Sequence, residues 1–329
     1  MKKDDRIYVA GTETLIGGAI QEGLERHGFS NVIEPGQAVD LTNRGQVSEF
    51  FKAMEPQYVF MAAGKSGGIS ANQRFPALLM LDNLLVETSV ISAAYEQGIT
   101  KLLYLASSCI YPKNCPQPMN EDAVLTGSLE PTNEAYAVAK IAGLKLCQAY
   151  NQQFGGDAAS TKFITCIPAN VFGPGDDFDL EESHVIPSLM RRMHEAKLSG
   201  ADEVEIWGSG TPRREFIFSQ DLADACISIM TDYEDTQPIN LGVGSDLSIG
   251  ELARLIQQIV EYPGELTFNT SRPDGIPAKL LDSRKLIDRG WRPNSSLPQA
   301  LQATYLWYTS YGQNIKNPSG QSTAPPNIN

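Results

Sequence analysis

A short apolar run that breaks at a glycine and passes directly into a helical pattern constrains this chain more than any other feature. Arg6 to Ala10 reads as a buried strand, Gly11-Thr12-Glu13-Thr14-Leu15-Ile16-Gly17 as a tight loop, and Ile16 to His27 as a helix. The alternation then repeats. Asn31 to Glu34, Tyr58 to Ala63, Lys101 to Ala106 and Lys162 to Pro168 read as strands. Val47 to Met54, Pro76 to Gln97 and Glu134 to Phe154 read as the helices between them. Short apolar strands alternating with helices imply βαβ units, and hence an α/β fold with a doubly wound parallel sheet of the Rossmann type.

After about Pro174 the alternation loosens. A helix is expected over Ile186 to Lys197, a strand over Glu203 to Trp207 and a helix over Ser248 to Glu261. Ser248 and Glu251 have the spacing of a capping box. This half reads as a smaller C-terminal α/β substrate domain. The expected division is residues 1–174 for dinucleotide binding, with 211–245 returning to it, and 175–312 for substrate. Residues 313–329, rich in Pro, Ser, Asn and Gln, are expected to be a disordered tail.

The 329 residues carry a formal net charge of −13. General affinity for nucleic acid or an anionic membrane is not expected of such a chain, and an anionic substrate would need a local concentration of Arg and Lys. No apolar run reads as long enough to span a bilayer, and the charged start has no leader-like segment. The five cysteines are scattered without CxxC spacing. Neither a disulfide framework nor a metal site is expected, and a reducing cytoplasm is the expected compartment. Cys115, Cys147, Cys166 and Cys226 read as core residues, and His27 and His194 as residues on polar helix faces.

A glycine loop between a first strand and a helix suits a pyrophosphate, because helix N-terminal N–H groups face the anion. Thr14 occupies the place of a middle glycine: its Cβ would push the pyrophosphate back, or its hydroxyl would bond to it. Glu34 ends the second strand, where a carboxylate accepts from the adenosine ribose hydroxyls. With Glu13 also acidic, the local chemistry favours NAD(H). Asp40 belongs either near the adenine edge or to a helix N-cap.

Tyr136 and Lys140 stand one helical turn apart and share a face. A tyrosine pKa of about 10 must fall by up to ~3 for the phenolate to act as a base at neutral pH; in the reductive direction the same group donates its proton. Ser107 follows a strand end, where ligands lie in this fold class, and can hydrogen-bond a reacting carbonyl.

Several longer runs carry a resemblance. They are Ala63-Gly64-Lys65-Ser66-Gly67-Gly68-Ile69, Ser107-Ser108-Cys109-Ile110-Tyr111-Pro112, Glu130 through Tyr136, Ala139-Lys140-Ile141-Ala142-Gly143 and Ser183-His184-Val185-Ile186-Pro187. Trp207 through Phe216, Pro273-Asp274-Gly275 and Lys279 through Asp282 continue it. With these the chain resembles the extended short-chain dehydrogenase/reductases, and within them the GDP-L-fucose synthase family. The resemblance implies 3,5-epimerisation and 4-reduction of GDP-4-keto-6-deoxy-D-mannose. Ser107, Tyr136 and Lys140 would serve the reduction, and Cys109 and His184 the epimerisation. Protons α to a ketone are acidic enough for a thiolate or imidazole when the enolate oxygen is stabilised.

The resemblance further implies that Lys65, Arg192, Trp207, Arg214, Asp274 and Lys279 hold the GDP-linked keto-deoxy sugar. Arg192, Arg214 and Lys279 would take the diphosphate and Trp207 the guanine. Gly11 to Gly17, Leu105, Ala106, Ser108, Pro168, Asn170 and Val171 would line the cofactor, with Asn170 orienting sugar or cofactor. It implies NADP(H) and a homodimer through the helices Pro76 to Gln97 and Glu134 to Phe154. Glu13 and the Glu34-Pro35-Gly36 run stand where family members carry arginines for the 2′-phosphate, so relaxed or NADH-leaning use is expected. The competing expectations are another nucleotide-sugar epimerase or dehydratase, and a non-catalytic dinucleotide-binding regulator. Cys109 and His184 together argue against a 4-epimerase or a dehydratase.

Overall fold

The computed structural model describes residues 1–34, 36, 38–156, 160–272 and 274–311. The expected tail and the end of the expected substrate domain lie outside them. Six strands form one fully parallel sheet: β1 (Ile7–Ala10), β2 (Val32–Ile33), β3 (Tyr58–Met61), β4 (Lys101–Leu105), β5 (Lys162–Pro168) and, from much later in the chain, β10 (Ile239–Leu241). Their spatial order is β10-β5-β4-β3-β1-β2. The strands read as near-continuous apolar runs because both faces are covered. Ile7, Ala10, Val59, Phe60, Leu102 and Leu103 are all essentially inaccessible.

The covering helices are α1 (Leu15–Arg26), α2 (Arg44–Met54), α4 (Pro76–Glu96), α5 (Glu134–Phe154) and α7 (Ser219–Asp232); α3 (Ile69–Arg74) is a short turn before α4. On one face α1 lies against α7, so closely that a Cβ on Gly23 would stand 3.0 Å from Ile227 Cδ1. By length and composition alone α4 is apolar enough to cross a membrane, contrary to the sequence reading. Its Val86, Val90, Ile91, Ala93 and Ala94 are instead buried in the protein core.

Four smaller pairings complete the order: β6 (Asn170–Phe172) with β9 (Phe216–Phe218), β7 (Glu203–Trp207) with β12 (Glu265–Asn269), and β8 (Arg213–Arg214) with both β11 (Leu247–Ser248) and β13 (Ala278–Lys279). With α6 (Val185–Ser199), α8 (Ile249–Val260) and α10 (Leu297–Ser310) they enclose a second apolar cluster around Phe172, Ile186, Met190, Leu252, Ile256 and Leu301. The Ser248–Glu251 capping box forms as its spacing predicts. A second box at Ser296 and Gln299 starts α10, a helix the sequence reading passed over. His194 is a further correction. It is buried in the second cluster, its Nδ1 is 2.8 Å from the Tyr305 hydroxyl, and its ring meets Tyr308 edge-on. It lies one helical turn after the buried Met190, so the two share the apolar face of α6.

The switch point of the sheet lies between β1 and β3, since β2 leaves β1 on one side and β3 on the other. There the backbone is too crowded for a side chain. Gly11 has φ +93°, and a Cβ on Gly17 would lie 1.8 Å from the Gly11 carbonyl oxygen. Gly17→Ala is expected to cost about 2–3 kcal/mol, seen as a lower midpoint in chemical denaturation. An unchanged midpoint would show that this loop opens without affecting the core.

Candidate active site

Four sheet ends and their loops meet above the switch point. Beyond β1, Thr14 caps α1: its hydroxyl donates to the Gly11 carbonyl at 2.8 Å and accepts from the Gly17 amide at 3.0 Å. The hydroxyl therefore closes the loop on itself. Thr12, Leu15 and Ile16 are part-buried beside it, and Glu13 is exposed. Across a groove from Thr12 and Leu15 stand Pro174, Ser219 and Trp307, the last from α10. Glu34 is exposed just past β2. Asp40 accepts from the Thr42 amide and hydroxyl, which hold its carboxyl below the usual range. It thus secures the turn before α2, whose N-cap is Asn43.

Beyond β4, Leu105, Ala106 and Ser108 are buried, and the Ser107 hydroxyl accepts from the Cys109 amide at 3.2 Å to cap a short 3-10 turn. Tyr136, in the first turn of α5, hydrogen-bonds Ser107. Burial raises the Tyr136 pKa well above its ordinary value; the charges of Cys109 and Glu87 add to this, and the Ser107 bond opposes it. Lys140 stands one turn further along α5. Its ammonium, buried, lies 3.3 Å from Glu87 Oε1 of α4. The Tyr104 hydroxyl donates to the same oxygen at 2.7 Å. Gly143 permits this arrangement, because a Cβ there would fall 2.5 Å from the Tyr104 oxygen. The phenol is thus set to hold its proton, as suits a donor to a carbonyl oxygen rather than a base.

Cys109 takes the opposite setting. The Lys279 ammonium donates to its sulfur at 3.4 Å and the Asn133 amide at 3.2 Å. Burial pushes the thiol up, but the charge of Lys279, bonds from Ser107 and Lys279, and the charge of Arg214 outweigh it, and the net shift is downward. His184, the residue before α6, makes no side-chain capping bond. Burial and the Lys279 charge lower its pKa, with Asp177 opposing. One ammonium therefore favours a thiolate on one side and a neutral imidazole on the other. The sequence offered no means of bringing Lys279 to a cysteine 170 positions away; the resemblance assigned it to diphosphate.

Beyond β5, Pro168 ends the strand, and Asn170 and Val171 begin β6, with the Asn170 amide donating to the Glu215 carbonyl at 2.7 Å. Trp207 is 45% exposed at the end of β7. The Arg192 guanidinium lies 5.6 Å and that of Arg272 4.7 Å from its ring centroid. Arg192 donates to the Glu205 carbonyl, while its Nε is buried without a hydrogen-bond partner. Arg214 lies within electrostatic reach of Cys109, and burial lowers its pKa. Asp274 accepts from the Ser209 amide at 2.6 Å and hydroxyl at 2.9 Å, tying two loops together. Lys65 is paired with Asp82 of α4 at 2.5 Å.

Glu87, Tyr104, Asn133, Glu215, Arg272 and Trp307 all shape this region, and the sequence reading gave none of them a role, although Asn133 and Glu215 fall in the runs that carry the resemblance. A glutamate inside the apolar helix pattern of α4 was the one available signal, since a charge there needs a buried partner.

The NAD dependent epimerase/dehydratase family matches residues 7–244. GDP-L-fucose synthase 1 of Arabidopsis thaliana is 50% identical, over 93% of this chain and 94% of its own. A GDP-6-OMe-4-keto-L-xylo-heptose reductase from C. jejuni superposes with a TM-score of 0.87 at 34% identity, covering 95% of this chain and 99% of its own. A GDP-L-fucose synthetase from Naegleria fowleri bound to NADP gives a TM-score of 0.87 at 27% identity, covering 95% and 97%. With one half of the site set to hold a proton and the other to release one, on a fold shared along nearly its whole length with these enzymes, the chain belongs to the NAD dependent epimerase/dehydratase family and, within it, to the GDP-L-fucose synthases.

Proposed function

We propose that this protein converts GDP-4-keto-6-deoxy-D-mannose into GDP-L-fucose by inverting C3 and C5 and then reducing C4, with Ser107, Cys109, Tyr136, Lys140 and His184 as the catalytic residues. The contact that carries this reading is the Lys279 ammonium on the Cys109 sulfur. It lowers the proton affinity of the thiol in a site where burial raises that of the tyrosine.

Cys109 and His184 remove and return the protons α to the ketone. Ser107 and Tyr136 donate hydrogen bonds to the C4 oxygen, which stabilises the enolate. A bound reduced nicotinamide dinucleotide supplies the hydride; NADP is the form bound by the Naegleria fowleri relative. Tyr136 gives its proton to the C4 oxygen in that step, and Lys140, beside it on α5, offsets the charge left on the phenolate. The loop Gly11 to Gly17 and the N-terminus of α1 suit the pyrophosphate of such a cofactor. Leu105, Ala106, Ser108, Pro168, Asn170 and Val171 lie at the strand ends it would cross. Arg192, Arg214 and Trp207 are offered to the nucleotide of the sugar, with Lys65 and Asp274 on loops at the rim.

A homodimer is part of the proposal. Leu78, Leu81 and Leu85 form an exposed stripe on α4 beside Val138 of α5, and a second copy of the chain would cover it. Five free thiols support the reducing cytoplasm as the compartment.

Incubation with the GDP-keto sugar in D2O and a reduced cofactor tests the reading. Deuterium at C3 and C5 and loss of nicotinamide absorbance are expected, and absence of both from wild-type protein would refute it. Tyr136→Phe is expected to slow the absorbance change by about 10²–10⁴-fold while exchange continues. Cys109→Ser should suppress exchange and leave cofactor affinity unchanged; equal loss of both would mark a structural cysteine.

Lys279→Met has a signed pH consequence. Without the ammonium the thiol pKa rises, and His184, relieved of the same repulsion, also rises. The acid limb of the exchange profile should therefore move to higher pH, with a loss of roughly tenfold at neutral pH recovered on the alkaline side. A uniform loss at every pH would show that Lys279 does not act through these two groups.

A further inference from the structure

NADPH differs from NADH only in a phosphate on the adenosine ribose, and the residues that would meet that phosphate do not fit it. In a doubly wound sheet this ribose lies past the end of the second strand, beside the glycine loop. Here Ile7 pairs with Val32 and Tyr8 with Ile33, so Glu34 is level with Val9 and leaves the sheet on the same side as Gly11. Glu13 is exposed in the loop itself. Its charge already reaches the neighbouring strand, where it acts with burial to push the Tyr8 hydroxyl up to about 12.

Among the described residues, neither carboxylate has an ion-pair partner. Residues 7–25 and 28–43 contain neither Lys nor Arg. Arg26 lies in the last turn of α1, a helix about 18 Å long, and both it and His27 are paired with Asp224. Arg44 starts α2 and is paired with Glu96 at 2.5 Å. Among the described residues between β2 and α2, Asp40, Thr42 and Asn43 are also committed. Asp40 holds Thr42, and Asn43 caps α2 through the amides of Gly45 and Gln46.

Two ribose hydroxyls find good acceptors at such a site. A 2′-phosphate, with a charge near −2 and three acceptor oxygens, meets the like charge of Glu34 and Glu13, and no Lys or Arg stands near them in the sequence to neutralise it. We propose that Glu34, aided by Glu13, makes this protein select NADH and reject NADPH. The proposal rests on the dinucleotide reading of the site given above, and it differs from the NADP bound by the solved relative.

Titration of the full-length protein with NADH and with NADPH, followed by calorimetry without sugar substrate, tests it. NADH is expected to bind at least tenfold more tightly, equivalent to about 1.4 kcal/mol, and the gap should narrow as salt is raised. Glu13→Arg/Glu34→Arg, at two exposed positions, should close or invert the gap by strengthening NADPH, with an unchanged circular dichroism spectrum. Equal or tighter wild-type binding of NADPH would overturn the selectivity alone. A double variant with the wild-type ratio would do the same for the role of these carboxylates. If neither cofactor bound, the dinucleotide reading itself would fall with the proposal.

Discussion

The carboxylate of Glu215 joins the parallel sheet to the second layer. It is wholly buried, accepts from the Gly244 amide at 2.7 Å and the Leu281 amide at 2.8 Å, and follows directly on β8. Backbone N–H groups carry its stabilisation, although burial still raises its pKa. Gly244 lies just beyond the outermost sheet strand, Leu281 just beyond Lys279, and the Glu215 carbonyl receives Asn170. A buried carboxylate whose donors come from separate segments holds those segments in one register, because each lost bond would leave charge unsolvated. The position of Lys279, and through it the state of Cys109, follows from that register.

A second buried carboxylate performs the matching task on the reductive side. Glu87 belongs to α4, Lys140 to α5 and Tyr104 to β4, so the sheet and both helices of one face converge on one oxygen. A buried pair adds little net stability, but removing one partner strands the other. Its value here is geometric. Lys140 is fixed one turn from Tyr136, whose pKa burial raises first, with smaller contributions from the charges of Cys109 and Glu87. Opposite shifts in proton affinity are thus set by different neighbours: an ammonium for the thiol, burial and then the charges of Cys109 and Glu87 for the phenol.

The acidic character of the whole chain has a local meaning. Cations gather around Trp207, where Arg192 and Arg272 lie near the indole, and at Cys109, where Lys279 and Arg214 act. Both places suit an anionic nucleotide sugar. The loops that end the first and second strands carry the carboxylates of Glu13 and Glu34, with no Lys or Arg in residues 7–25 or 28–43.

Much of the sheet was legible in the sequence. The first five strands and their helices appear within a few residues of their expected ends, because apolar runs bounded by Gly, Pro and Ser report burial locally. The capping box at Ser248 and the shared face of Tyr136 and Lys140 are likewise local, set by helical geometry alone. Tertiary structure alone decided the rest. Lys279 reaching Cys109, Glu87 reaching Lys140, and the Thr14 hydroxyl turning back to Gly11 instead of outward depend on which segments fold against each other. Periodicity records which side of an element is buried; it holds no record of what that side meets, and a proton's affinity is set by the charges and dipoles it meets.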